Sequence, residues 1–101
     1  MRMIMLVKFP VEPFNTYVKD GSIGPTIQQI LGDIKPESAY FTERDGHRGA
    51  ILVVDLKEAS DVARLAEAWF LKFNANVEYR IAMTAEDLGK AELDALGKKW
   101  A

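Results

Sequence analysis

The stretch AYFTERDGHRGAILVVDL, residues Ala39–Leu56, decides the fold. Two β-rich runs flank Asp45-Gly46, a dipeptide that tolerates φ > 0 at both central positions of a tight turn, so the stretch reads as a hairpin. The first strand alternates, with Ala39 and Phe41 on one face and Tyr40 and Thr42 on the other. The second is apolar at every position from Ala50 to Val54. That is the pattern of an inner strand covered on both faces.

Outward from the hairpin, strands and helices alternate. Arg2–Phe9 reads as a strand with Met3, Met5, Val7 and Phe9 on one face and Ile4, Leu6 and Lys8 on the other, ended by Pro10 and Pro13. Pro13–Lys19 is predicted as a helical turn, and a longer helix runs from Ser22 or Ile23 to Ile34 on the spacing of Ile23, Ile27, Ile30, Leu31 and Ile34. Lys35-Pro36 stops it. After the hairpin, Lys57–Ser60 is a loop, Ser60 or Asp61 a helix N-cap, and Asp61–Phe73 a helix. Its apolar stripe is Val62, Leu65, Ala66, Trp69, Phe70 and Phe73; Phe70 is assigned to the core, and Trp69 is a candidate to line a pocket between helix and sheet. Val77–Met83 is the last strand, and Thr84 with Asp87 forms a capping box opening one final helix that Gly89 and Gly97 weaken.

The order β-α-β-β-α-β-α, with two right-handed crossovers sharing a hairpin, gives an α+β, ferredoxin-like domain spanning residues 1–101. The expected sheet is antiparallel with strand order 4-1-3-2 and the helices on one face. Two helices cover only that face, yet Ile4, Leu6 and part of Ala50–Val54 point the other way, and a large exposed apolar patch is rare on a monomer. A second copy, packed sheet to sheet, is the simplest cover, with the last helix or Trp100 wrapping the edge. The alternative is a C-terminal helix folded back over its own sheet.

The size, topology and doubly apolar sheet resemble the dimeric α+β barrel superfamily, which includes cofactor-independent monooxygenases and muconolactone isomerase. Ala39–Thr42, Asp45–Gly49, Val53–Asp55, Ala66–Leu71 and Met83–Leu88 together are similar to a family of small bacterial proteins of unassigned activity. The resemblance implies the fold and a homodimer; it carries no catalytic motif onto this chain.

Composition narrows the function. The chain is 49% hydrophobic and 28% charged with net charge −2, so it has no basic field for nucleic acid or an anionic membrane. It has no cysteine, which removes disulfides and thiol chemistry. The five apolar residues Met3–Val7 end at Lys8, too few for a signal-peptide core or a membrane span, so the expectation is a bacterial, cytoplasmic protein. His47, the one histidine, has no partner spaced for a metal, and no metal or cofactor is expected. No phosphate loop or nucleophile elbow is present.

The candidate ligand-binding residues are Arg80, Glu78, Tyr40, Thr42 and Trp69. Glu78 and Arg80 share a face with Ile4, Leu6 and Lys8 if the first and last strands are neighbours, and charges between packed sheets must be paired or line a wet cavity. Arg80 then anchors an anionic or carbonyl group, which Tyr40 or Thr42 orients. The alternative is an ordinary edge strand whose charges face solvent. The expected function is a noncatalytic homodimeric module binding a small ligand or a partner. The competing reading is a cofactor-independent oxygenase or isomerase acting on a hydrophobic substrate inside the barrel.

Overall fold

The computed structural model describes all residues, Met1–Ala101. The element order is β1 (Arg2–Lys8), α1 (Phe14–Asp20), α2 (Ile23–Ile34), β2 (Ser38–Arg44), β3 (His47–Asp55), α3 (Asp61–Phe73), β4 (Asn76–Ile81), α4 (Ala85–Gly89) and α5 (Leu93–Lys99). The four strands form one antiparallel sheet in the order β2-β3-β1-β4, the expected ferredoxin-like arrangement read from the other edge. The sheet is open and not closed into a barrel. At the hairpin Arg44 pairs with His47, and Asp45 and Gly46 take φ 52° and 76°, the doubly left-handed turn that the Asp-Gly pair allows.

The alternation in β1 and β3 sorts the sheet into two unlike faces. Met3, Met5, Val7, Ala50, Leu52 and Val54 lie buried on the helix side, against Ile30 and Ile34 of α2 and Leu65, Trp69 and Phe73 of α3. Phe9, just beyond β1, stands edge-on to Phe14, Trp69 and Phe73 at centroid separations of 5.0–5.7 Å. Two tyrosines fasten neighbouring elements to α3: Tyr17 Oη donates to the Lys72 carbonyl at 2.7 Å, and Tyr79 Oη to that of Val62 at 2.9 Å.

Within α3 the aromatic roles are reversed from those expected. Trp69 is fully buried and Phe70 is 40% exposed, because the stripe facing the sheet is Leu65, Ala66, Trp69 and Phe73, and Val62 and Phe70 fall on its flanks. The indole Nε1 of Trp69 meets no acceptor, so its burial must outweigh a lost hydrogen bond.

The cap of α3 also differs. Ser60 holds the N-cap position without a side-chain hydrogen bond. Asp61 instead turns back, accepting from the backbone N–H of Lys57 at 2.9 Å and of Glu58 at 3.3 Å, and from Arg64 Nε at 3.0 Å. It ties the loop to the helix.

The largest departure is at the C-terminus. The capping box forms as expected: Asp87 N–H donates to Thr84 Oγ1, and Thr84 N–H to Asp87 Oδ2. The expected single helix, however, breaks into α4 and α5 around Glu92, which adopts φ 53°. Every residue from Met83 to Ala101 is exposed. The segment does not fold back over its own sheet; it projects as an arm. The radius of gyration is 17.1 Å, against about 13 Å for a compact chain of this length, and the long axis reaches 60 Å.

Asp61 gives a pH test. Its hydrogen bond from Lys57 N–H, with those from Arg64 and Glu58, holds its carboxyl below the usual carboxylate value against an opposing desolvation. As pH falls the unfolded chain therefore takes up this proton first. The stabilisation is complete above about pH 3.9, the unperturbed value, and is lost as pH drops through the lower folded value. Asp61→Asn should unfold at a lower temperature than the parent at neutral pH, and the gap should close in acid; a scan of melting temperature against pH checks this.

Candidate functional site

The face turned away from α2 and α3 is a floor of half-buried aliphatic side chains rimmed by charge. Strand register sets its rows. Arg80 stands opposite Ile4, which pairs with Val53 and then Ser38; Glu78 stands opposite Leu6, which pairs with Ile51 and then Tyr40. A third row runs Asn76, Lys8, Gly49 and Thr42. Arg80, Glu78, Tyr40 and Thr42 thus share one face, as the sequence suggested. Trp69 does not join them: it is in the core on the opposite side of the sheet.

The four residues are also not all neighbours. Glu78 and Arg80 ride on β4 at one edge and Tyr40 and Thr42 on β2 at the other, three strand spacings or about 14 Å apart. A small ligand on one copy cannot lie against both sets.

Arg44 links the two edges, a role that no pattern in the sequence foretold. It starts on β2, and its Nη2 donates to Glu78 Oε1 on β4 at 3.2 Å, so the side chain spans the open face. Gly49 makes the crossing possible: a Cβ there would stand 3.1 Å from Arg44 Cβ and 3.2 Å from the Val7 carbonyl oxygen. Glu78 uses its other oxygen, Oε2, to accept from Arg80 Nη2 at 3.2 Å. One carboxylate therefore holds two guanidinium groups, leaving the trio with net charge +1. Nearby, Lys8 Nζ lies 3.4 Å from Asp45 Oδ2. At the far end of the face, Arg2 Nε meets Glu37 at 3.0 Å, and the N-terminal ammonium at 3.0 Å holds the Asp55 carboxyl below its usual value.

Such an arrangement suits recognition of a negative group more than proton transfer. No set of three or more His, Asp or Glu side chains is gathered to hold a metal ion. His47 sits exposed beside the hairpin turn, its Nδ1 3.2 Å from the Asp45 carbonyl oxygen. The main hollows on the surface are shallow, and none of them spans the open face. One of about 480 Å³ lies at the sheet end between Met1, Met3, Leu56, Val62 and Ile81, and another of about 530 Å³ lies between α4 and α5. No helix is long and apolar enough to cross a membrane.

The Arg44–Glu78 ion pair is partly open to water, so it should add little to stability. Arg44→Met should change the free energy of unfolding by less than about 1 kcal/mol. Gly49→Val, which pushes a branched side chain into Arg44 and the Val7 carbonyl, should cost about 1–3 kcal/mol. Urea titrations of the two variants measure both.

No protein-family model matches the chain, and no curated protein matches it. Among solved structures, the chain is similar to a de novo designed protein, Ferredog-Diesel, at 12% identity and a TM-score of 0.43, over 79% of this chain and 83% of that one.

Proposed function

We propose that the protein is a noncatalytic homodimeric binding module, two copies packed open face to open face in the manner of a dimeric α+β barrel. The cleft between them takes a small ligand carrying an anionic or carbonyl group. The observation that supports this most is the Arg44–Glu78–Arg80 trio. A guanidinium has five N–H donors, and each of these two gives one bond to Glu78, so a preassembled pair of cations keeps most of its donors for a ligand. The aliphatic floor of Ile4, Leu6, Ile51 and Val53 supplies the apolar contact that small-molecule sites use.

Pairing also resolves the separation of the two edges. A two-fold axis parallel to the strands sets β4 of one copy over β2 of the other, so Tyr40 of the second copy faces the row of Glu78, one row from Arg80, while Thr42 stays two rows from Arg80 along the cleft. Binding is preferred to catalysis because the carboxylate at the centre is occupied by two cations rather than held free as a base.

Light scattering of the purified protein should give a mass about twice 11.3 kDa, and Ile51→Lys, at the centre of the floor, should give the monomer. Benzoate, as a small aromatic carboxylate, should bind the dimer by calorimetry. Arg80→Met should weaken that binding about ten-fold or more while the dimer mass stays the same. A parent protein that is monomeric at every concentration, or an Arg80→Met variant that binds benzoate like the parent, overturns the reading.

A further inference from the structure

The C-terminal arm is unexplained by a single copy. Its helices have 5 and 7 residues, whereas an isolated helix shorter than about 12–15 residues is marginal in water. Short helices persist in proteins when an apolar side packs on something. Leu88, Leu93, Leu96 and Trp100 would supply such a side, yet here they are exposed, Trp100 by 76%.

The root of the arm sits beside the open face. Ala82 N–H donates to the Arg2 carbonyl at 3.0 Å, and Arg2 shares a face with Ile4 and Leu6. The attraction of Arg2 reaches Asp87 in α4, adding to the Thr84 backbone and hydroxyl bonds that chiefly lower its carboxyl. The arm therefore leaves the domain at the end of the surface on which a second copy would pack.

Area makes the same point. Four strands of about seven residues cover roughly 19 × 23 Å, or about 440 Å² in projection. A standard protein interface takes about 800 Å² from each partner. The flat footprint is about half of that; side-chain relief raises the accessible area of the face, and the arm would enlarge the interface further.

We infer that the arm, Met83–Ala101, is exchanged between copies: in the homodimer it lies across the rim of the second copy's open face, burying Leu88, Leu93, Leu96 and Trp100 there. This rests on the pairing proposed above and adds the element that completes it. The occupant of the rim is a second copy of this chain, since the arm is the apolar segment that its own body leaves uncovered.

The full-length chain carries its own reporter. Trp69 is buried in the core, so acrylamide reaches Trp100 alone in the native protein. In a dilution series, quenching should be strong in the monomer and fall several-fold as the dimer forms. Leu96→Asp and Trp100→Ala, both changes at exposed positions, should raise the dimer dissociation constant about ten-fold or more. A dimer in which Trp100 stays fully quenchable and both variants associate like the parent overturns the exchange while leaving the pairing intact. Protection of Trp100 that persists in the monomeric Ile51→Lys variant places the arm on its own body and also overturns it. A chain that never dimerises removes the pairing and the exchange together.

Discussion

A four-stranded sheet has two faces, and two helices laid side by side can cover one of them. That geometric limit governs this molecule. The helix side takes Met3, Met5, Val7, Leu52 and Val54 together with the aromatic cluster around Phe73, and it is closed. The other side keeps Ile4, Leu6, Ile51 and Val53 in partial contact with water. Fully burying a side chain of this kind stabilises by about 1.5–3 kcal/mol, so the unburied fractions of the four together are worth about 1–4 kcal/mol, against the 5–15 kcal/mol that holds a typical domain together.

The charges on that side lie where they leave the aliphatic floor usable. Lys8 and Arg44 keep only 29% and 28% of their side-chain surface exposed, laying methylene stems on the sheet while their heads meet Asp45 and Glu78. Each head is paired within the copy, so covering this face need not strand a lone charge. Desolvating an ion pair still costs energy unless further hydrogen bonds are made. In the pairing proposed above, a bound anion with acceptors for the spare guanidinium donors would offset that cost.

Much of this was legible in the chain itself. Asp45-Gly46 between two β-rich runs specifies the hairpin, and alternation in β1 assigns each residue of that strand to its face. The uniform apolarity of Ala50–Val54 marks an inner strand, and from these the strand order follows. The positions of Glu78, Arg80, Tyr40 and Thr42 on one face follow from register alone. Three things were not legible, each for a physical reason. A helical stripe wider than the sheet contact has flanks, and periodicity does not say whether Trp69 or Phe70 is central. The reach of Arg44 to Glu78 depends on a missing side chain at Gly49 on the neighbouring strand, a three-dimensional condition with no sequence period. The break at Glu92 replaces an otherwise acceptable helix pattern, and local propensity gave only the weak warning of Gly89.

The open arm has a consequence for how long a single chain lasts. Lys90 caps α4, and Lys98 and Lys99 end α5; all three are exposed on elements too short to resist fraying, which is the setting in which trypsin-like enzymes cut. A solitary molecule is thus born with a degradable handle. Whatever shelters that handle would lengthen the lifetime of the polypeptide, so scarcity would hasten clearance and abundance would slow it.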